Sequence, residues 1–237
     1  MVGDGSGLSG VPELVFPEFG FVPGKVGFAA RKDMSFAWSI RGKTLNLTLS
    51  DYLADAPSDV IADFTRGALM RIKGMKPVFG RAYLDYVTSD GFILAKRPVY
   101  MRRSRNILPD GHGDVRSLYD SVQRLMDRGL VFDSDIGNTV FVWTKKPTYT
   151  RLGYCSTMMR MVAVSRALDS ERYPEEVLDY VVYHEIIHLR LGYRPFDNNP
   201  HDAAFRRYER MYPDFPAVSA MADQIPLDNP QRKRGRR

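Results

Sequence analysis

PEEVLDYVVYHEIIHLRLG, residues 174–192, is the stretch on which the reading of this 237-residue chain turns. Pro174 suits a first helical position, Glu175, Glu176 and Asp179 put negative charge at the positive end of the helix dipole, and Arg190 sits near the negative end. Gly192 and then Pro195 supply the stop. Between them Val177, Leu178, Val181, Val182, Ile186, Ile187 and Leu189 cover more than one face, which predicts a helix buried on several sides.

Within this helix His184-Glu185-Ile186-Ile187-His188 sets two imidazoles four residues apart with a carboxylate beside the first. Residues at that spacing share a helix face, so both imidazoles can hold one metal ion while Glu185 handles the proton of a water the ion activates. The chain has only four histidines, which makes a chance match rare. Zinc is the ion these ligand types suggest, although imidazole sites also accept other divalent ions. A catalytic zinc needs a third protein ligand.

The metzincin spacing is excluded, because Gly192 falls one position late and no histidine follows close by. The next and last histidine is His201, directly after Asn199-Pro200, a pair that reads as a helix start. On such a helix His201, Phe205, Tyr208 and Tyr212 share a face, with His201 turned inward in the opening turn. Asp197, Asp202 and Glu209 stay open as acidic alternatives. For stabilising an oxyanion, Tyr154, Tyr183, Tyr193, Arg194 and His112 are the candidates, and spacing does not separate them.

Four segments together resemble the SprT-like and YgjP-like zinc metallopeptidases. They are Arg151-Leu152-Gly153-Tyr154-Cys155-Ser156, the run Met161 to Ser165, the helix with His184, Glu185 and His188, and His201-Asp202-Ala203-Ala204-Phe205. The resemblance covers about residues 140 to 213. It implies zinc on His184, His188 and His201, Glu185 as general base, and hydrolysis of protein or peptide substrates. The chain departs from the DNA-repair members in having no C-terminal zinc ribbon, since Cys155 is its only cysteine. The resemblance therefore does not extend to their role on DNA–protein crosslinks. In peptidases of this kind an edge strand near the metal aligns the substrate, and the strand expected at 158–165 would play that part.

Upstream, Leu45, Leu47 and Leu49 alternate with polar residues in a strand region from Phe28 to Ser50, and a helix should run from Pro57 to about Lys73. Residues 76–111 are basic and contain proline, and their pattern decides no structure; His112, between two glycines, reads as a loop residue. A helix from about Asp114 to Gly129 and strands at 130–145 and 158–165 complete the pattern. This order predicts an α+β fold, a small antiparallel sheet packed on helices. The expected layout is an irregular segment to residue 25, an accessory region at 26–110, a metallopeptidase core at 111–215 and a basic, unstructured tail at 216–237.

The formal charge of +6 is almost all in Arg232, Lys233, Arg234, Arg236 and Arg237, so the body is nearly neutral. A rival reading is a non-catalytic zinc-fold protein binding nucleic acid through this tail and through Lys96, Arg97, Arg102, Arg103 and Arg105 around Tyr100. An intact Glu185 favours catalysis, because a structural zinc site needs no general base. A single cysteine allows no internal disulfide, and no segment reaches the roughly twenty apolar residues of a membrane span. A cytoplasmic protein is expected.

Overall fold

Leu45, Leu47 and Leu49 are fully buried, and the strand that carries them is the middle of a three-stranded sheet. This is the first of two compact units, Met1–Arg103 and Ser104–Arg237, in a computed structural model whose described residues are 10–229. The sheet runs β1 (Val22–Ala29), β3 (Thr44–Ser50), β2 (Phe36–Arg41), with β1 parallel and β2 antiparallel to the centre. Helix α1 (Val11–Val15) and helix α2 (Ser58–Ile72) belong to the same unit. Helix α2, expected from Pro57 to about Lys73, buries Val60, Ile61, Phe64, Ala68 and Leu69, and Gly74 takes the left-handed φ of 73° just past its end.

One expectation for this unit is corrected, and one open stretch is resolved. Residues 11–25 are not irregular, because Val11, Val15 and Phe16 find a buried position and draw that stretch into α1 and the start of β1. The undecided stretch forms α3 (Arg81–Thr88) and α4 (Asp90–Arg103), the latter with Pro98 inside it. Tyr100 is buried, Lys96 holds Asp55 at 2.7 Å, and Arg103 holds Asp51 at 2.8 Å. That basic cluster therefore presents no aromatic platform for a base.

In the second unit β6 (Met161–Val164) is flanked by β4 (Val140–Trp143), parallel to it, and β5 (Gly153–Ser156), antiparallel to it. The α+β class and the packing of small sheets on helices hold. The sheets are mixed rather than antiparallel, since β5 and β6 pair antiparallel and β4 joins the far side of β6. All four residues of β6 are buried, so the strand expected at 158–165 has no wet face. The strand expected at 130–145 is confined to 140–143. Asp135 accepts from Phe132 N at 2.9 Å and pairs with Arg190 at 2.6 Å, which fixes a short helix α6 (Asp133–Ile136) ahead of it.

Helix α5 (Leu118–Asp127) starts at Ser117, whose hydroxyl accepts from Tyr119 N and Asp120 N. It packs against α7 (Glu175–Leu191), the predicted central helix, which contacts β5, β6, α8 (Ala203–Glu209) and α9 (Phe215–Gln224). Leu178, Val182, Tyr183, Ile186 and Ile187 are fully buried, so α7 is enclosed on several sides. Residues 216–228, expected as tail, form most of α9 and a following turn, because Val218, Ala222 and Ile225 bury against the core that α7 builds. The basic residues from Arg232 onward lie outside the described residues. Among those described, no helix is long and apolar enough to cross a membrane.

Candidate metal centre

One face of the last turns of α7 is left open, and there His184 and His188 meet His201. One ligand atom from each lies within 4.8 Å of the others, and Nε2 of His188 and Nε2 of His201 are 3.1 Å apart. Phe205, fully buried, lies against all three rings at centroid distances of 4.8, 4.6 and 4.5 Å. The cleft above them, about 430 Å³, is lined by Arg151, Gly153, Tyr154, Arg194 and Asp197 among others.

His201 arrives by a different local route from the one its sequence suggests. The cap of α8 is Asp202, whose Oδ1 accepts from Phe205 N at 2.9 Å, so His201 sits one residue before the cap and not inside the first turn. Arg194 donates to the other oxygen of Asp202 at 2.7 Å and ties the loop after α7 to this cap. With both oxygens engaged, Asp202 is not free to bind a metal. Asp197 accepts from Asn199 N at 2.8 Å and faces Arg194 at 3.7 Å.

Glu209, the third acidic alternative, sits behind the site. Its Oε1 lies 2.9 Å from Nδ1 of His184 and accepts from the Tyr180 hydroxyl at 2.9 Å. Burial works against its charge, but the hydrogen bonds from His184 and Tyr180 outweigh it and hold the carboxyl below its ordinary range. An ionised carboxylate only accepts, so the proton of His184 belongs on Nδ1, leaving Nε2 as the donor atom for an ion.

Glu185 is buried, and it touches the sheet through Gly153. A Cβ built on Gly153 would fall 2.6 Å from Oε1 of Glu185, so only glycine lets β5 approach so closely. Desolvation pushes this carboxyl up to about 7, against the pull of His184 and Arg151. Burial and the neighbouring imidazoles push His188 down to about 4, and burial lowers His201 as well. Both are therefore neutral near pH 7, the state in which imidazole binds metal. Tetrahedral zinc at about 2.1 Å from each nitrogen sets them about 3.4 Å apart, a spacing that lies between the 3.1 Å of the His188–His201 pair and the 4.8 Å that bounds the whole cluster. The donor set fits a metal ion.

Of the other residues weighed from sequence, Tyr183 is fully buried and donates to Tyr208 O at 2.7 Å, away from the cleft. His112 pairs with Ser117 in an isolated bridge and stacks near Tyr119, and neither His112 nor Tyr193 is among the lining residues. Tyr154 and Arg194 do line the cleft. So does Arg151, to which no spacing in the sequence assigns a role. Cys155 is inert, its thiol pushed well above the ordinary value by desolvation and by Glu185. The expected aligning strand is also corrected: β6 is central and has both edges paired, whereas β5, which carries Gly153, is an edge strand of the sheet.

Residues 115–219 match the model of the SprT-like family. The matched segment contains the three histidines, Glu185, Glu209 and all three strands of the second sheet, and it includes none of the first unit. No curated protein and no solved structure matches the chain.

Proposed function

We propose that the protein is a zinc-dependent metallopeptidase, with His184, His188 and His201 as ligands and Glu185 as general base. The observation that carries this reading is the engagement of the nearby acids that could otherwise close the site. Asp202 caps α8, Asp197 faces Arg194, and Glu209 binds the rear of His184. Three imidazoles and an open fourth position are the pattern of a catalytic centre, whereas a structural zinc is enclosed by four protein ligands. Zinc held there would supply Lewis acidity and an acidified water.

The chain's own residues would do the rest. Glu185, buried beside the ligands, takes a proton from the attacking water and returns it to the leaving amine, work suited to a carboxyl displaced toward neutrality. The outer edge of β5 can align an extended peptide by strand addition, bringing its carbonyl over the cleft. Tyr154, which lines the cleft, would meet the developing oxyanion.

Elemental analysis with a peptide-cleavage assay tests this. The untagged wild type should hold one zinc per chain, Glu185→Gln should keep it and lose cleavage, and His201→Ala should lose the metal. A wild type that binds no divalent metal under zinc-replete conditions would overturn the proposal.

A further inference from the structure

Two arginines reach the cleft, and they differ in their company. Arg194 is neutralised by Asp202 at 2.7 Å and Asp197 at 3.7 Å. Arg151 has no carboxylate partner among the described residues. Its Nε donates to the Gly153 carbonyl at 3.3 Å, and its guanidinium lies 4.9 Å from the centroid of the Tyr154 ring. Both contacts leave the terminal nitrogens available.

The segment that carries Arg151 is fixed. The Thr148 hydroxyl donates to Arg151 O at 2.6 Å, Ser165 N donates to Leu152 O at 2.7 Å, and the Ser165 hydroxyl donates to Thr148 O at 2.6 Å. Ser165 follows directly on β6, so the loop before β5 is pinned to the end of the central strand. An arginine held by its backbone, its Nε and an aromatic face loses little freedom when it binds, and its planar fork matches a carboxylate. Its place is close to the chemistry. Arg151 is two residues, about 7 Å along an extended backbone, from Gly153, which touches Glu185.

We propose that Arg151 is a specificity-determining residue that reads an acidic side chain of the substrate, within about two residues of the scissile bond. The substrate class is thus a peptide segment carrying Asp or Glu beside the cleavage point. This rests on the peptidase reading. Among the described residues, the only carboxylates lining the cleft are Glu185, reserved for proton transfer, and Asp197, held by Arg194, which leaves Arg151 open to a carboxylate of the substrate.

A proteome-derived peptide library digested by the zinc-loaded enzyme and read by mass spectrometry gives the preferred sequence. Matched peptides with Glu, Gln or Lys at the selected position then give kcat/KM ratios. The wild type should favour Glu over Gln by about tenfold to a hundredfold. Arg151→Gln should collapse that ratio toward one, and Arg151→Glu should invert it toward Lys, with zinc content unchanged. A wild type without acidic preference, or an Arg151→Gln variant slowed equally on all three peptides, would overturn the proposal; equal slowing would assign Arg151 to the transition state instead. The same peptides titrated against zinc-loaded Glu185→Gln by fluorescence anisotropy separate the two readings. Arg151-dependent acidic binding without hydrolysis by the wild type would leave recognition standing and the peptidase reading refuted. Hydrolysis indifferent to charge would do the reverse.

Discussion

Glu185→Gln should make the metal-free protein more stable, and by an amount that depends on pH. The carboxyl rises from an ordinary 4.5 to about 7 because folding strips it of water. A raised folded-state value means that its contribution is fully present below about 4.5 and is lost as pH climbs through 7. The displacement is about 2.5 pH units, and at 1.36 kcal/mol per unit the ionised carboxylate costs the folded state about 3 kcal/mol at pH 8. Glutamine keeps the shape and cannot ionise, so the variant should gain about that much at pH 8 and less than about 1 kcal/mol at pH 5.

Urea unfolding with chelator present measures the difference. Trp143 is buried in the core that contains α7, whereas Trp38 belongs to the other unit, so a Trp38→Phe background lets fluorescence report on the unit holding the site. Zinc should shrink the gain at pH 8, because a cation beside Glu185 stabilises its charged form. A variant no more stable than its parent at pH 8, or equally favoured at both pH values, would refute the argument that Glu185 is ionised at a desolvation cost.

Three further outcomes follow from the same geometry. Glu209→Ala should weaken metal binding by about tenfold to a hundredfold, through loss of the acceptor on His184 Nδ1, with Glu209→Gln in between; competition against a fluorescent chelator reads this. Gly153→Ala should lower peptide cleavage at least about tenfold while zinc content holds, because the new methyl pushes on the Glu185 carboxyl. Asp179→Ala should destabilise the second unit by about 3 kcal/mol in urea unfolding. Its side chain is enclosed and accepts from Ser121 Oγ at 2.6 Å and Arg124 at 2.7 and 2.9 Å.

The helix from Glu175 to Leu191 was legible because its signals are local and redundant: proline and acids at one end, glycine at the other, apolar residues all round. His201 was legible as a candidate because it is the last histidine, and as a ligand through the family resemblance, but its backbone was misread. Asn199-Pro200 and Asp202 are both cap signals, and the contest is decided by Arg194, which reaches Asp202 from the preceding loop. Glu209 was illegible as a histidine acceptor, since a carboxylate near a metal site looks the same from sequence whether it binds the ion or the ligand behind it. Helix α9 was missed for another reason: Pro213-Asp214-Phe215-Pro216 reads as loop, yet Asp214 takes a left-handed φ of 50° and Pro216 falls in the first turn, where it does no harm. The close approach of Gly153 to Glu185 belongs to the packing of β5 on α7, and no spacing in the chain encodes it.

The burial that displaces Glu185 also costs the second unit stability when the carboxyl ionises. Among the described residues Glu185 is buried without a counter-charge in contact, and burial, with the neighbouring imidazoles, disfavours protonation of His188 and His201. One divalent cation would relieve the cost of ionised Glu185 and use the lone pairs that neutral imidazoles offer. Loading of a metal would therefore be thermodynamically linked to folding of the second unit, and the link should be steepest near neutral pH, where Glu185 loses its proton while His188 and His201 remain unprotonated. Arg151 adds to the same balance from the rim. It draws Glu185 toward the charged state without pairing with it, so an acidic substrate that engages Arg151 would also return the carboxyl toward the higher affinity for protons that a base must show when it takes one from water.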